Sequence, residues 1–217
     1  MKNWTRKKKL TVWLLVLAVS IGLLCISSNY PSPTAEIAFR RAEKENLVGP
    51  AEILEILDFA DSRYDHLLVA QSDYGYTFYE WQDSDKDYSH ARLAYQPKSE
   101  RVTLSCTLQG YESLYTGREW LPIFAFADHP AAVSARLTLE TAQEDGEAVY
   151  ELEAQRNDYG YFLFRLKTDT LGTEDFWLIQ QLITGAYSNY VLDGTATATV
   201  RLYDRTGNLI ETKEFTR

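Results

Sequence analysis

Cysteine is almost missing from this chain. Of its 217 residues only Cys25 and Cys106 are cysteines, and Cys25 lies inside a long apolar run. No disulfide can therefore form within the part that follows, which must hold by packing rather than by the staples of small secreted domains. Cys106 sits in Val102-Thr-Leu104-Ser-Cys106-Thr-Leu108, where every second residue is apolar, and reads as a small hydrophobe on a strand. Histidine is scarce too: His66, His90 and His129 stand far apart, none in a metal or catalytic spacing, and His90 near Asp85 and Asp87 makes no more of an acid–base set than many exposed pairs. No His-Glu-x-x-His, Cys-x-x-Cys, Gly-x-Ser-x-Gly or phosphate-cradling glycine loop is present. A non-catalytic protein without a cofactor or metal is the expectation, with an atypical hydrolase as the remote alternative.

Positive charge is also lacking beyond the first few residues. Lys2, Arg6, Lys7, Lys8 and Lys9 crowd the start. With those five set aside, seventeen Lys and Arg face thirty-one Asp and Glu, a formal net of −14. Such a body repels nucleic acid and anionic polymers, so nucleic acid is excluded as a partner. The charge also keeps a tethered domain dispersed, which by itself accounts for it.

What the sequence does have is an apolar run, Leu10 to Ser27, without one charged residue. A bilayer core of roughly 30 Å needs about 17–25 such residues in a helix, so the run is long enough to span. The cations before it hold the N-terminus in the cytoplasm, and Trp4 and Trp13 suit the interface. A cleaved signal peptide has a shorter apolar region, and a lipoprotein has a small residue where Leu24 precedes Cys25. An uncleaved anchor is preferred over both, and all three place the body outside the cytoplasm. The chain is thus expected to divide into a basic tail (1–9), a transmembrane anchor (10–27), a spacer (28–33), a helix plus β-meander lobe (34–116) and a β-sandwich-like lobe (117–217).

Beyond the spacer, Ser32 and Pro33 read as the cap and first residue of a helix reaching Asn46, with Ile37, Phe39 and Ala42 as its apolar stripe and Gly49-Pro50 as its breaker. Residues 51–58 are ambiguous. Glu52, Glu55 and Asp58 recur every third position and favour a helical turn over a strand. The period then becomes two, with strands expected at 66–72, 76–82, 91–96 and 101–109, and a second set at 121–127, 131–141, 147–155 and 161–167. Thr173-Glu-Asp opens a helix that buries Phe176, Ile179, Leu182 and Ile183 and ends by Gly185. A hairpin with Gly207 in its turn closes the chain. The fold expected is all-β and antiparallel, sandwich-like, with one or two minor helices besides the anchor. It forms one domain or two lobes, the second immunoglobulin-like in size.

Three features invite a functional reading. Asp-Tyr-Gly-Tyr occurs twice, at 73–76 and 158–161, each time between strands. Hairpin chemistry accounts for it, with aspartate starting the turn and glycine at positive φ, and an aromatic binding loop is the sharper alternative. Tyr74, Tyr76, Trp81, Trp120, Tyr159 and Tyr161 are the candidate ligand-binding side chains, as a shelf for a sugar or a partner. A sugar platform would also draw on Trp177, although aromatics on strands more often pack a core. Asp83, Asp85 and Asp87 resemble the start of a calcium loop, but Tyr88 and Ala94 stand where an EF-hand needs glycine and glutamate. An acidic solvated loop is the preferred reading. The function expected is that of a membrane-tethered domain making protein contacts at the cell envelope, with glycan binding as the alternative.

Overall fold

The computed structural model describes residues 5–27, 34–59, 66–81, 92–98, 102–106, 119–144, 146–184 and 194–216. The calcium-like triad and His90 lie outside these residues. Those described form a predominantly β protein with antiparallel sheets. Sheet one runs in chain order through β1 (Glu52–Asp58), β2 (His66–Gln71), β3 (Gly75–Trp81) and β4 (Arg92–Pro97). Sheet two is ordered β5 (Thr103–Cys106), β6 (Trp120–Phe126), β9 (Tyr161–Lys167). Sheet three is ordered β11 (Leu209–Thr216), β10 (Gly194–Tyr203), β7 (Ser134–Gln143), β8 (Gly146–Gln155).

The stacking of the sheets follows from β6, Trp-Leu-Pro-Ile-Phe-Ala-Phe, which is apolar on both faces and buried along nearly its whole length. Its Leu121, Ile123 and Ala125 join Leu137, Leu139, Ala198 and Val200 of sheet three. Phe124 and Phe126 point the other way, onto Leu67, Val69 and Phe78 of sheet one. Sheet two is therefore the middle layer, and a strand covered on both sides has no polar face to show. Sheet three keeps one wet face, where Arg136 pairs with Glu153 at 2.6 Å and Thr197 bonds Glu140.

Two helices close the stack. Helix α2 (Ala35–Glu45) lays Ala38 and Phe39 on the far face of sheet one, against Leu68, Ala70, Tyr79 and Trp81. Phe39 is fully buried, which stabilises the docking by about 1.5–3 kcal/mol. Helix α3 (Thr173–Thr184) sinks Phe176 and Ile179 into the core of sheets two and three, where Cys106 is also buried. Asp175 in its first turn accepts from Thr141 (2.6 Å), Gln143 (2.6 Å) and Tyr150 (2.8 Å), pinning α3 to β7 and β8.

Several expectations are corrected. Residues 52–58 are strand β1, where a bulge between Ile53 and Glu55 shifts the register and brings Glu52 and Glu55 to one face while Asp58 falls on the other. The cap of α2 is Thr34, whose hydroxyl accepts the Ile37 amide at 3.2 Å, rather than Ser32. The buried face of α2 is Ala38, Phe39 and Glu43, and Ile37 is exposed. A boundary at residue 116 would cut through sheet two, because β5 before it pairs with β6 beyond it. The core of the later part also needs Val102, Leu104 and Cys106 from the earlier one. The terminal hairpin forms as expected, with Gly207 at φ +82°. Its Asp204 carboxylate is held at a pKa of about 2 by hydrogen bonds from the Thr206 hydroxyl and the Asn208 amide.

The apolar run lies in α1 (Arg6–Ser27). Among the described residues no helix is long and apolar enough to cross a membrane. The α1 side chains that are described end at Leu24, and the first turn of that stretch is spent on Arg6, Lys7, Lys8 and Lys9. Its large apolar side chains, Leu10, Trp13, Leu14, Leu15, Val16, Leu17, Val19, Ile21, Leu23 and Leu24, are exposed on every face of the helix.

Candidate functional site

The two Asp-Tyr-Gly-Tyr turns converge. One connects β2 to β3 in sheet one, the other β8 to β9, and both come out at the same end of the stack. Tyr76, the second residue of β3, pairs with Gln71, and Tyr161 begins β9 opposite Phe126. Across the layers Tyr76 stacks on Phe126 with centroids 3.9 Å apart and planes at 25°. Phe126 in turn touches Tyr161 at 5.8 Å, and Tyr161 stacks under Tyr159 at 6.5 Å. Four rings from two turns and one strand thus make a continuous aromatic seam.

Beside the seam opens a cleft of about 410 Å³, walled by Gln71, Tyr76, Lys98, Phe126, Ala127, Asp128, Arg156, Tyr159 and Gly160. That volume lies toward the small end for ligand pockets. A shallower hollow beside it shares Gln71 and Lys98 and adds Glu52 and Asp73. Arg156 is fixed by three carbonyls: Nε donates to Gly160 at 3.1 Å, and Nη1 to His129 at 2.9 Å and Ala132 at 3.4 Å. The Lys98 ammonium stands 6.0 Å from the Tyr76 ring. Burial raises the Tyr76 phenol above its usual pKa; Arg156 opposes the shift and Asp128 adds to it, so both charges act on this ring.

The turns share four letters but not one mechanism. Their capping oxygens come from the residue before each aspartate. Ser72 Oγ accepts the amides of Tyr74 (3.3 Å) and Gly75 (3.2 Å), and Asn157 Oδ1 accepts those of Tyr159 (3.1 Å) and Tyr161 (3.1 Å). Aspartate starts neither turn. Gly160 does take positive φ, +91°, whereas Gly75 is needed because a Cβ there would lie 2.6 Å from the Gln96 carbonyl and the Tyr95 ring.

Of the six aromatic candidates, Tyr76 and Tyr159 line the cleft, Tyr161 is buried beneath it, and Tyr74 is exposed at the tip of the first turn. The tryptophans are elsewhere. Trp81 is buried under α2 and stacked on His66 at 4.9 Å. Trp120 lies between Phe59 and the Arg165 guanidinium, and Trp177 packs edge-on to Phe176. They form no common shelf, because strand alternation sends Trp81 and Trp120 to different layers. Sequence reasoning missed Gln71, Lys98, Asp128 and Arg156, which are joined only by folding. Among the described residues no cluster of side chains suits a metal ion. Set against family models, curated proteins and solved structures, the chain matches none.

Proposed function

We propose that the protein is a membrane-tethered, non-catalytic β-domain of the cell envelope that works through protein–protein contacts, made at the twin-turn cleft. The tether is α1, with the basic tail in the cytoplasm and the body outside. One observation carries this reading: a helix apolar on all sides shows its side chains outward while the β body has completed its core without it. A helix of that kind belongs in a hydrophobic interior, and the bilayer is the interior on offer. The mixture of rings, amide and charges in the cleft supports recognition, since convergent polar groups on an apolar wall fix a ligand's orientation.

Two experiments test it. Full-length protein should stay with membranes through alkaline carbonate washing, and protease added outside should digest the body. A photo-crosslinking residue at Tyr159 should give an adduct with one envelope protein, while the same residue at Thr197, on the wet face of sheet three, should not. Intact protein free in the cytosol overturns the tether. Identical or absent adducts at the two positions overturn the contact face.

A further inference from the structure

The charges at the cleft are uneven in a way that says what it holds. Lys98 and Arg156 face it against one carboxylate, Asp128. Among the described residues neither cation has a carboxylate within ion-pair distance, although Glu52 and Asp73 stand in the adjoining hollow. The three carbonyls that fix Arg156 use Nε and Nη1, which leaves Nη2 without an acceptor. In a body whose formal charge is −14 once the N-terminal cations are set aside, an unpaired Lys and Arg on one cleft call for a source of negative charge.

From this we infer that the cleft receives a single carboxylate of an acidic peptide segment on a partner protein, with Arg156 Nη2 and Lys98 as its donors. The inference rests on the protein-contact reading above. The net charge of the lining, one positive unit, suits one carboxylate, and the acidic body repels a polyanion. The fixed guanidinium offers a planar donor already oriented, so little freedom is lost on binding. Phe126, Ala127 and the rings of Tyr76 and Tyr159 suit a methylene stem and an apolar neighbour in the peptide. An acidic sugar fits less well, because Phe126 and Ala127 offer its ring of hydroxyls no polar partner. Asp128 acts as the discriminating group, limiting the site to one negative charge.

The test uses full-length protein in detergent micelles and follows the backbone amides of Tyr159 and Gly160 and the Arg156 Nε–H by NMR. The probes are acetylated, amidated Leu-Glu-Leu, its neutral counterpart Leu-Gln-Leu, and galacturonate. The glutamate peptide should shift these signals and bind about tenfold more tightly than the glutamine one, the scale of one charge-assisted hydrogen bond. Lys98→Ala, at an exposed site, should remove that preference, bringing the glutamate peptide down to the affinity of the glutamine one. Asp128→Asn should strengthen binding of the glutamate peptide several-fold. Equal binding of the two peptides, or indifference to both substitutions, overturns the carboxylate site while leaving the cleft a protein contact. Lys98-dependent shifts with galacturonate alone overturn both readings. The absence of shifts with every probe overturns this inference, and the Tyr159 crosslink then decides the other.

Discussion

Glu43 reaches from α2 to the start of sheet one, where its Oε1 accepts the Ala51 amide at 2.8 Å. Its second oxygen bonds Arg40 Nη1 at 2.8 Å, and the same nitrogen donates to the Ala51 carbonyl at 2.6 Å. One ion pair a helical turn apart thus clasps both polar groups of a buried residue. Glu43→Ala would leave the Ala51 amide buried without an acceptor and Arg40 without its partner. The expected loss is about 2–3 kcal/mol in urea unfolding, the scale for hydrogen bonds to charged groups. Glu43→Gln keeps an acceptor for Ala51 and should lose about half as much. Equal losses would mean that the charge, not the hydrogen bond, fixes α2.

Leu47 is where α2 stops. Its φ is +56°, and it is 92% exposed. The amides of Leu47 and Val48 bond back to the carbonyls of Lys44 (3.4 Å) and Glu43 (3.1 Å), the paired closure of a Schellman motif. Glycine is the residue that takes this backbone without strain, and an exposed leucine has no packing to lose. Leu47→Gly should therefore raise stability by about 1 kcal/mol. A fall in the urea midpoint would show that the leucine makes a contact that outweighs its backbone cost.

The hydrogen bond from Tyr150 to Asp175 ties part of the stability to pH at the alkaline end. Desolvation first, then the hydrogen bond to Asp175, pushes the Tyr150 phenol up to about 12 from 10.0. The folded state thus holds this proton more tightly than the unfolded one. The stabilisation is complete below pH 10, declines as the unfolded phenol ionises, and is gone above about 12. Stability measured between pH 9 and 12 should fall less steeply in Tyr150→Phe than in the parent. Asp175→Ala strands three donors and should cost about 2–4 kcal/mol at neutral pH, more than the roughly 1 kcal/mol of Tyr150→Phe. Parallel pH curves for parent and Tyr150→Phe would remove Tyr150 from the account.

How far the residues announced all this depends on how local the cause is. Period-two runs such as Ala196, Ala198, Val200 and Leu202 disclosed their strands because one face packs and the other is wet. The bulge in β1 hid a strand behind part of a helical spacing, since one inserted residue brings Glu52 and Glu55 to one face without changing the backbone class. The end of α2 was hidden because its left-handed residue is a leucine, where the glycine two positions later offered the usual sign. The tyrosines of the cleft were visible as a repeated motif. Lys98, Asp128 and Arg156 were not, because each follows or precedes a strand of a different sheet and only the stacking brings them together.

The two motif glycines separate the causes that their shared sequence conceals. At Gly160 alanine must hold φ +91°, with its Cβ 3.4 Å from the tip of Arg156, which is an ordinary contact. The cost is then the left-handed backbone alone, about 1–2 kcal/mol. At Gly75 the backbone is unstrained, but the added carbon would sit 2.6 Å from the Gln96 carbonyl, so β3 and β4 would have to part. That overpacking, against backbone rather than a mobile side chain, should cost about 2–3 kcal/mol. Gly75→Ala should therefore destabilise more and speed hydrogen exchange along β3 and β4, whereas Gly160→Ala should leave exchange there unchanged. If Gly160→Ala proved the more damaging, the tip of Arg156 would be held more rigidly than its three carbonyl bonds require, and the cleft with it.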